Sequence, residues 1–223
     1  HLWYRRQRQM CIRDSAITPV NLSLEKIISK TSNLLELGIK TYQYRDKNND
    51  LNIIRNNSKI LLELIKENDG ELIINDYPEI ALEIGADGFH LGFEDYQKKK
   101  NQNFLKKHLT LIKENYIKGL SCKWNLELVS NPPEDILEWD YLAVGSFFKS
   151  QTKKDILLAG SEMIMKEVLL KTKKPLYSIG GINNENIINL KKMGYKKFAI
   201  SNGVYAFEDH EIKNIIKINN EGN

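Results

Sequence analysis

Residues 71–95 read ELIINDYPEIALEIGADGFHLGFED, and this stretch decides the fold. Segment 71–74 predicts a strand, 78–84 predicts a helix that begins with proline, and 88–91 predicts a second strand. A strand, a helix and a strand in succession are typical of a parallel sheet. The continuous apolar run Leu72-Ile73-Ile74 indicates a strand that is covered on both faces, as the strands of such sheets usually are.

The same alternation runs through the rest of the chain. Further strands are predicted at 16–18, 40–45, 117–121, 141–145, 175–179 and 198–201. Further helices are predicted at 24–37, 51–66, 125–137 (interrupted by Pro132-Pro133), 156–170, 184–193 and 211–218. The polar segment 97–107 predicts a loop with a short helix. In the helix at 51–66, we expect Ile53 and Ile60 to face the core together with Ile54, Leu61, Leu64 and Ile65.

Eight strands that alternate with helices favour the α/β class. We expect a single (β/α)8 barrel, the TIM-barrel fold. Such barrels usually have about 250 residues, so a barrel formed by this shorter chain would be compact. An open doubly wound sheet is the alternative. The absence of a Gly-x-Gly-x-x-Gly motif after the first strand disfavours that alternative.

The start of the chain differs from the rest. Met10-Cys11-Ile12-Arg13-Asp14-Ser15 resembles a translated sequencing adapter, so we expect residues 1–15 to be non-native and residues 16–223 to form the catalytic barrel domain. A genuine basic arm is the alternative. If residues 1–15 are foreign, we expect the first strand to be truncated.

Composition narrows the class of protein. The net charge of +4 is mild and is spread over lysine-rich helices, which suits a phosphorylated small molecule and gives little support for a nucleic-acid partner. No apolar run has the roughly 20 residues of a membrane helix, so we expect no membrane partner. Cys11 and Cys122 match neither a zinc site nor a disulfide framework. These features predict a cytoplasmic protein and leave a homo-oligomer open.

In such a barrel, functional residues lie at the carboxyl ends of the strands. The second strand ends with Gln43, Arg45 and Lys47 at alternate positions, which places them on one side of an extended chain. A guanidinium and an ammonium together suit a diphosphate. A solvated loop explains these residues equally well.

Two carboxylates follow neighbouring strands. Asp76 comes after Asn75 at the end of the third strand, where it could cap a helix or hold a cation, and Asp95 follows the fourth. One or two carboxylates with substrate phosphate oxygens are typical of Mg2+ sites, so the pair favours a metal. His90 lies inside the fourth strand, where we expect a packed or hydrogen-bonded ring.

The later strand ends carry hydroxyls, amines and glycines. Ser121 has no nearby base and is expected to form hydrogen bonds, while Cys122 is expected to be a buried thiol. Ser150-Gln151-Thr152-Lys153 could contact a phosphate or form a polar loop. Gly180-Gly181 and Ile200-Ser201 follow the seventh and eighth strands, where phosphate sites recur in this fold.

Taken in order, these strand-end motifs resemble the thiamine phosphate synthase family over residues 16–205. The matching segments are Gln43-Tyr44-Arg45-Asp46-Lys47, Ile74-Asn75-Asp76, 85–95, Gly119-Leu120-Ser121, 144–153, Ile179-Gly180-Gly181-Ile182 and Ala199-Ile200-Ser201. The family joins a hydroxymethylpyrimidine diphosphate to a phosphorylated hydroxyethylthiazole and releases pyrophosphate.

The resemblance implies a role for each residue. It makes Arg45, Ser121 and Lys153 catalytic, and Asp76 and Asp95 ligands of Mg2+. It assigns the pyrimidine diphosphate to Gln43, Tyr44, Arg45, Asp46, Lys47, Asn75, Ser121 and Lys153. It assigns the thiazole phosphate to Ser150, Gln151, Thr152, Gly181, Ile200 and Ser201.

Two other functions fit parts of the pattern. A related thiazole tautomerase resembles the chain at Asn75-Asp76 and at the Gly-Gly-Ile turn, but it typically lacks the carboxylate at Asp95 and has a histidine near Lys123. An inactive thiazole-phosphate-binding homologue is the second alternative, and the intact charged residues disfavour it. The chain departs from its relatives at Lys123, Ser146 and Lys149, where many of them have histidine or tyrosine in the first case and prolines in the others.

Overall fold

The computed structural model describes residues 14–148 and 162–220, which form a closed barrel of eight parallel strands. The strands are β1 (Asp14–Ile17), β2 (Thr41–Tyr44), β3 (Glu71–Asn75), β4 (Gly88–Gly92), β5 (Ile117–Ser121), β6 (Tyr141–Gly145), β7 (Leu176–Ile179) and β8 (Lys197–Ile200). Each strand pairs with the next, and β8 pairs with β1. The prediction of a (β/α)8 barrel is confirmed.

Helices surround this barrel. Those in the described residues are α1 (Leu24–Glu36), α2 (Leu51–Glu67), α3 (Pro78–Ile84), α4 (Phe93–Tyr96), α5 (Lys99–Lys107), α6 (Leu109–Asn115), α7 (Leu126–Ser130), α8 (Glu162–Lys171), α9 (Ile187–Lys192), α10 (Asn202–Ala206) and α11 (Asp209–Asn220). None of them is long and apolar enough to cross a membrane. Part of the helix predicted at 156–170 lies outside the described residues.

The first strand closes the barrel. Ser15 pairs with Thr41 of β2 and with Ala199 of β8, so β1 is hydrogen-bonded on both sides. Asp14 and Ser15 belong to the segment that was expected to be non-native, and in this structure they form half of β1. The expectation about the origin of residues 1–15 stays a prediction.

The region between β4 and β5 differs from the sequence-based prediction. Segment 97–107, predicted as a loop with a short helix, consists mainly of the nine-residue helix α5. The helices α4 and α6 on either side of it were not predicted. Leu105 is fully buried and Asn101 donates a hydrogen bond to the Asp95 carbonyl oxygen at 2.8 Å, so a largely polar segment is held as a helix by a few inward contacts. The predicted helix at 125–137 was also too long, since α7 ends at Ser130, before the two prolines.

The buried face of α2 is narrower than predicted. In α2, Ile54, Leu61 and Ile65 are buried, whereas Ile53 and Ile60 are 42% and 43% exposed. Successive residues in a helix are separated by about 100° around the axis, so the residue before each buried position points away from the core. The prediction that Ile53 and Ile60 face the core was wrong.

Inside the barrel, the two halves differ in polarity. An apolar cluster of Ile17, Ala143, Tyr177 and Ala199 fills the side near β1 and β6 to β8. The side formed by β2 to β4 instead carries Gln43, Asn75 and His90, which are all buried. Buried polar groups need hydrogen-bond partners, so this half of the barrel is where a network or a ligand is expected.

Candidate active site

A cavity of about 430 Å³ opens at the carboxyl ends of the strands. It is lined by residues that follow or end separate strands, among them Gln43, Arg45, Lys47, Asn75, Asp76, Asp95, Ser121, Ser146, Gly180, Gly181, Ile200 and Ser201. Most of the residues that the sequence identified therefore lie around one space. Ser150, Gln151, Thr152 and Lys153 lie outside the described residues.

The alternation in the second strand sorts its residues into two groups. Gln43, Arg45 and Lys47 line the cavity, as their spacing predicted. Tyr44 is buried on the opposite side, against the helices, and its hydroxyl donates to Asp46 Oδ2 at 3.0 Å. Neither Tyr44 nor Asp46 is among the residues that line the cavity, so their assignment to the pyrimidine diphosphate stays a prediction.

Asp46 organises the turn after β2. It accepts hydrogen bonds from the backbone N–H groups of Asn48 and Asn49 and from the Asn49 side chain. Burial acts to raise the pKa of Asp46, but these hydrogen bonds and the one from Tyr44 outweigh it and lower the pKa. This ionised carboxylate fixes the loop that begins with Arg45 and Lys47.

The two predicted metal ligands, Asp76 and Asp95, share one electrostatic environment. Burial raises the pKa of Asp76, an ion pair with Lys47 lowers it, and the nearby charge of Asp95 raises it again, so that the net shift is upward. Lys47 Nζ lies 3.0 Å from Asp76 Oδ2, and Lys98 Nζ lies 2.6 Å from Asp95 Oδ1. Each carboxylate is thus paired with a lysine of the protein itself.

The donor set suits a hard divalent cation. The side chains of Asp76 and Asp95 are only 14% and 21% exposed, and each already holds a cationic partner. Within residues 14–148 and 162–220, no group of three or more His, Cys, Asp or Glu side chains could hold a metal ion. Mg2+ is commonly held by one or two carboxylates, with waters and substrate oxygens completing the shell, so these residues fit it.

The backbone at Asp76 has an unusual conformation. Its φ of 66° lies in the left-handed region, and its N–H donates to the His90 carbonyl oxygen at 2.9 Å. Aspartate tolerates this conformation better than most residues. The chain therefore turns directly after β3 while it remains hydrogen-bonded to β4, so the Asp76 side chain stays close to the end of the barrel.

A buried polar chain runs beneath the cavity. His90 Nε2 lies 2.8 Å from Ser121 Oγ, and His90 Nδ1 lies 3.0 Å from the Tyr141 hydroxyl. A hydrogen bond from Gln43 also reaches Tyr141, whose pKa is raised by burial. Burial lowers the pKa of His90 to about 4, so the ring is neutral at pH 7. The expectation of a hydrogen-bonded His90 is confirmed. The expectation that Ser121 has no nearby base is wrong, because strand pairing brings the His90 ring beside its hydroxyl.

Gly119 leaves the space that the contact between His90 and Tyr141 needs. Gly119 lies opposite His90 of β4 and opposite Tyr141 of β6 in the barrel register. A Cβ atom at this position would lie 2.2 Å from Tyr141 Cζ and 2.5 Å from His90 Nδ1, far inside normal contact. The two rings meet over the glycine with their centroids 5.5 Å apart. Sequence reasoning missed this contact, because it joins three strands.

Glycines also shape the opposite side of the cavity. Gly180 and Gly181 have φ values of 101° and 67°, a region in which other residues are strained. A Cβ atom at Gly180 would lie 2.6 Å from the Cβ of Ser146. The loop after β7 therefore packs closely against the loop after β6, and both line the cavity beside Ile200 and Ser201.

The two residues after β5 have different environments. Cys122 is buried, which raises the pKa of its thiol to about 12 and confirms the expectation of a buried thiol. Lys123 has a φ of 52°, and its ammonium lies 2.6 Å from Glu94 Oε1. Both Lys123 and Glu94 line the cavity, and the sequence did not indicate that they would form a pair.

The fold and the cavity define a (β/α)8-barrel enzyme with a charged site at the carboxyl ends of its strands. The family model described as thiamine monophosphate synthase matches residues 15–204. The thiamine-phosphate synthase of Nitrosospira multiformis is 34% identical over 194 residues, which cover 87% of this chain and 79% of that protein. That of a Hydrogenobaculum species is 32% identical over 183 residues, or 82% and 80% of the two chains. The chain belongs to the thiamine monophosphate synthase family.

Solved structures agree with this assignment. The thiamine phosphate pyrophosphorylase of Pyrococcus furiosus superposes with a TM-score of 0.75 at 26% identity, covering 96% of this chain and 98% of that one. The (S)-3-O-geranylgeranylglyceryl phosphate synthase of Thermoplasma acidophilum superposes with a TM-score of 0.64 at 13% identity, covering 97% of each chain. The second likeness reflects the barrel fold alone.

Proposed function

We propose that the protein is a thiamine phosphate synthase. It would condense 4-amino-2-methyl-5-hydroxymethylpyrimidine diphosphate with phosphorylated hydroxyethylthiazole, or its carboxylate, and release pyrophosphate. The observation that carries this proposal is that Arg45, Lys47, Asp76, Asp95 and Ser121, from four different strand ends, line one cavity. Membership of the family supplies the identity of the two substrates.

The charges in the cavity suit the departure of a diphosphate. In the reaction that the family resemblance implies, the pyrimidine–oxygen bond breaks first and both electrons leave with the diphosphate. The thiazole nitrogen then attacks the pyrimidine carbocation, so no proton has to be removed. Arg45 and Lys47 would bind the leaving group, together with Lys153. Preorganised cations of this kind stabilise charge as it develops in the transition state.

The polar chain beneath the cavity suits a positioning role. Burial lowers the pKa of His90 to about 4, so its ring is a weak general base, and the reaction needs none. Its hydrogen bond to Ser121 Oγ, together with its contact to Tyr141, fixes the orientation of the serine hydroxyl. We assign Ser121 to contact with the pyrimidine substrate and His90 to holding Ser121 in place.

We further propose that Asp76 and Asp95 hold Mg2+. Their low exposure and their mutual proximity support this assignment. When bound, Mg2+ would neutralise negative charge on the diphosphate and so favour its departure. Phosphorylated small-molecule substrates and a reduced, buried Cys122 suit a cytoplasmic location, which we also propose.

A direct assay tests the reaction. Purified protein is mixed with both phosphorylated substrates and Mg2+, and pyrophosphate and thiamine phosphate are measured. We expect turnover, and we expect Asp95→Asn to lower it by about a hundredfold. Asp69→Asn is the matched control, because Asp69 is an exposed carboxylate outside the cavity lining. Binding of the thiazole phosphate without turnover would instead identify an inactive homologue.

A second assay tests the role that the family resemblance gives to Lys153. We expect Lys153→Ala to lower kcat far more than it weakens binding of the thiazole phosphate, because an ammonium on the leaving diphosphate acts mainly in the transition state. Steady-state kinetics and calorimetric titration with thiazole phosphate measure the two effects. Equal losses in both would contradict the assigned role.

A further inference from the structure

The two carboxylates at the proposed metal site have different lysine partners. Asp76 is paired with Lys47, which lines the cavity and is proposed to bind the diphosphate. Asp95 is paired with Lys98, which follows it by three residues and is not among the residues that line the cavity. Lys47 thus lies inside the cavity, where a bound diphosphate could become its partner, whereas Lys98 lies outside the cavity lining.

We propose that Lys98 is an internal counter-ion that competes with the divalent cation for Asp95 and thereby weakens metal binding. This inference rests on the metal site of the proposed function. The ammonium lies 2.6 Å from Asp95 Oδ1, so that oxygen has a cationic partner before any metal arrives. The other oxygen, Oδ2, faces Gly92, where an added Cβ atom would lie only 3.1 Å away.

The charge on Lys98 acts on both carboxylates. Its hydrogen bond to Asp95 and the charge of Asp95 raise the pKa of Lys98, and the charge of Asp76 adds to this effect. Interaction between charges is mutual, so Lys98 lowers the attraction of the whole acidic pair for a cation. The two carboxylates would therefore bind a divalent cation more tightly if Lys98 were absent.

Lys98 can be replaced without removing a structural support. Its side chain is 65% exposed, and an exposed ion pair contributes little to folding stability. It occupies the residue before α5, but its side chain makes no capping hydrogen bond there. A change at this position should therefore leave the barrel folded, and its effect should be confined to the charge near Asp95.

Direct titration with Mn2+ alone tests the proposal on the whole chain. Electron paramagnetic resonance reports free Mn2+ and hence the bound fraction, without any enzymatic turnover. We expect Lys98→Gln to bind Mn2+ roughly threefold to tenfold more tightly than the wild type. Lys98→Arg keeps the charge, and Lys99→Gln removes a neighbouring exposed charge, so both should remain within about twofold of the wild type.

The same substitution in the Asp95→Asn variant tests whether Lys98 acts on metal binding through Asp95. In Asp95→Asn, the change Lys98→Gln should no longer tighten Mn2+ binding, because Lys98 acts through Asp95. If Lys98→Gln binds Mn2+ no more tightly than Lys99→Gln while the wild type still binds it through Asp95, the role of Lys98 is refuted and the metal site stands. If neither the wild type nor Lys98→Gln binds Mn2+, or if Asp95→Asn binds as the wild type does, the metal site itself is wrong and the inference falls with it.

Discussion

Acid should destabilise the folded protein through His90. This ring is 4% exposed and has hydrogen-bond partners on both nitrogens, and burial lowers its pKa from 6.5 to about 4. The unfolded chain therefore binds the proton more tightly than the folded one. The contribution of the neutral His90 ring to stability is fully present above pH 6.5 and is lost as the pH falls towards 4. The shift corresponds to a loss of about 3 kcal/mol in the free energy of unfolding.

Urea unfolding at a series of pH values between 7 and 4 measures this loss. Carboxylates also titrate in the lower part of the range, so the informative quantity is the difference between the wild type and His90→Gln. The variant should be less stable at pH 7, because it loses two hydrogen bonds, but it should lose less stability on acidification. His210→Gln removes an exposed histidine and is the matched control. Parallel curves for the wild type and His90→Gln would refute the reasoning.

Substitutions at two further positions test local packing and helix capping. Gly119→Ala would push a methyl group into Tyr141 and His90, so we expect a loss of about 2–4 kcal/mol in urea unfolding; a loss under about 1 kcal/mol would mean that the rings can move apart cheaply. Asp50 accepts hydrogen bonds from Asn52 N and Ile53 N at the start of α2, so Asp50→Ala should cost about 1 kcal/mol, while Asp50→Asn, an equally good cap, should unfold near the wild-type urea midpoint. Equal effects of the two changes at Asp50 would show that its side chain does not cap the helix.

Strand positions and the polar strand ends were predictable from sequence because they follow local rules. The apolar runs at 72–74 and 142–144 indicate buried strands, and β5 and β6 begin and end where the sequence predicts. The alternation of Gln43, Arg45 and Lys47 identifies the residues that line the cavity, since side chains of a strand alternate between its two faces.

Contacts between distant segments were not predictable from one sequence. The chain from Ser121 through His90 to Tyr141 depends on strand register, which places Gly119 between the two rings. The pairing of Lys98 with Asp95 depends on the turn between α4 and α5, a region predicted as largely loop. Ile53 and Ile60 are exposed although they are apolar. A helix with isoleucine on more than one face does not reveal from its sequence which of these residues face the core.

The four residues of β1 have a role out of proportion to their length. They hydrogen-bond to β2 on one side and to β8 on the other. Release of this single segment would leave unpaired N–H and C=O groups along two strands at once, each a template for pairing with another molecule. The pairing of β1 on both sides therefore contributes to the protection of the barrel against aggregation, and a change that loosens this strand should promote association before it abolishes catalysis.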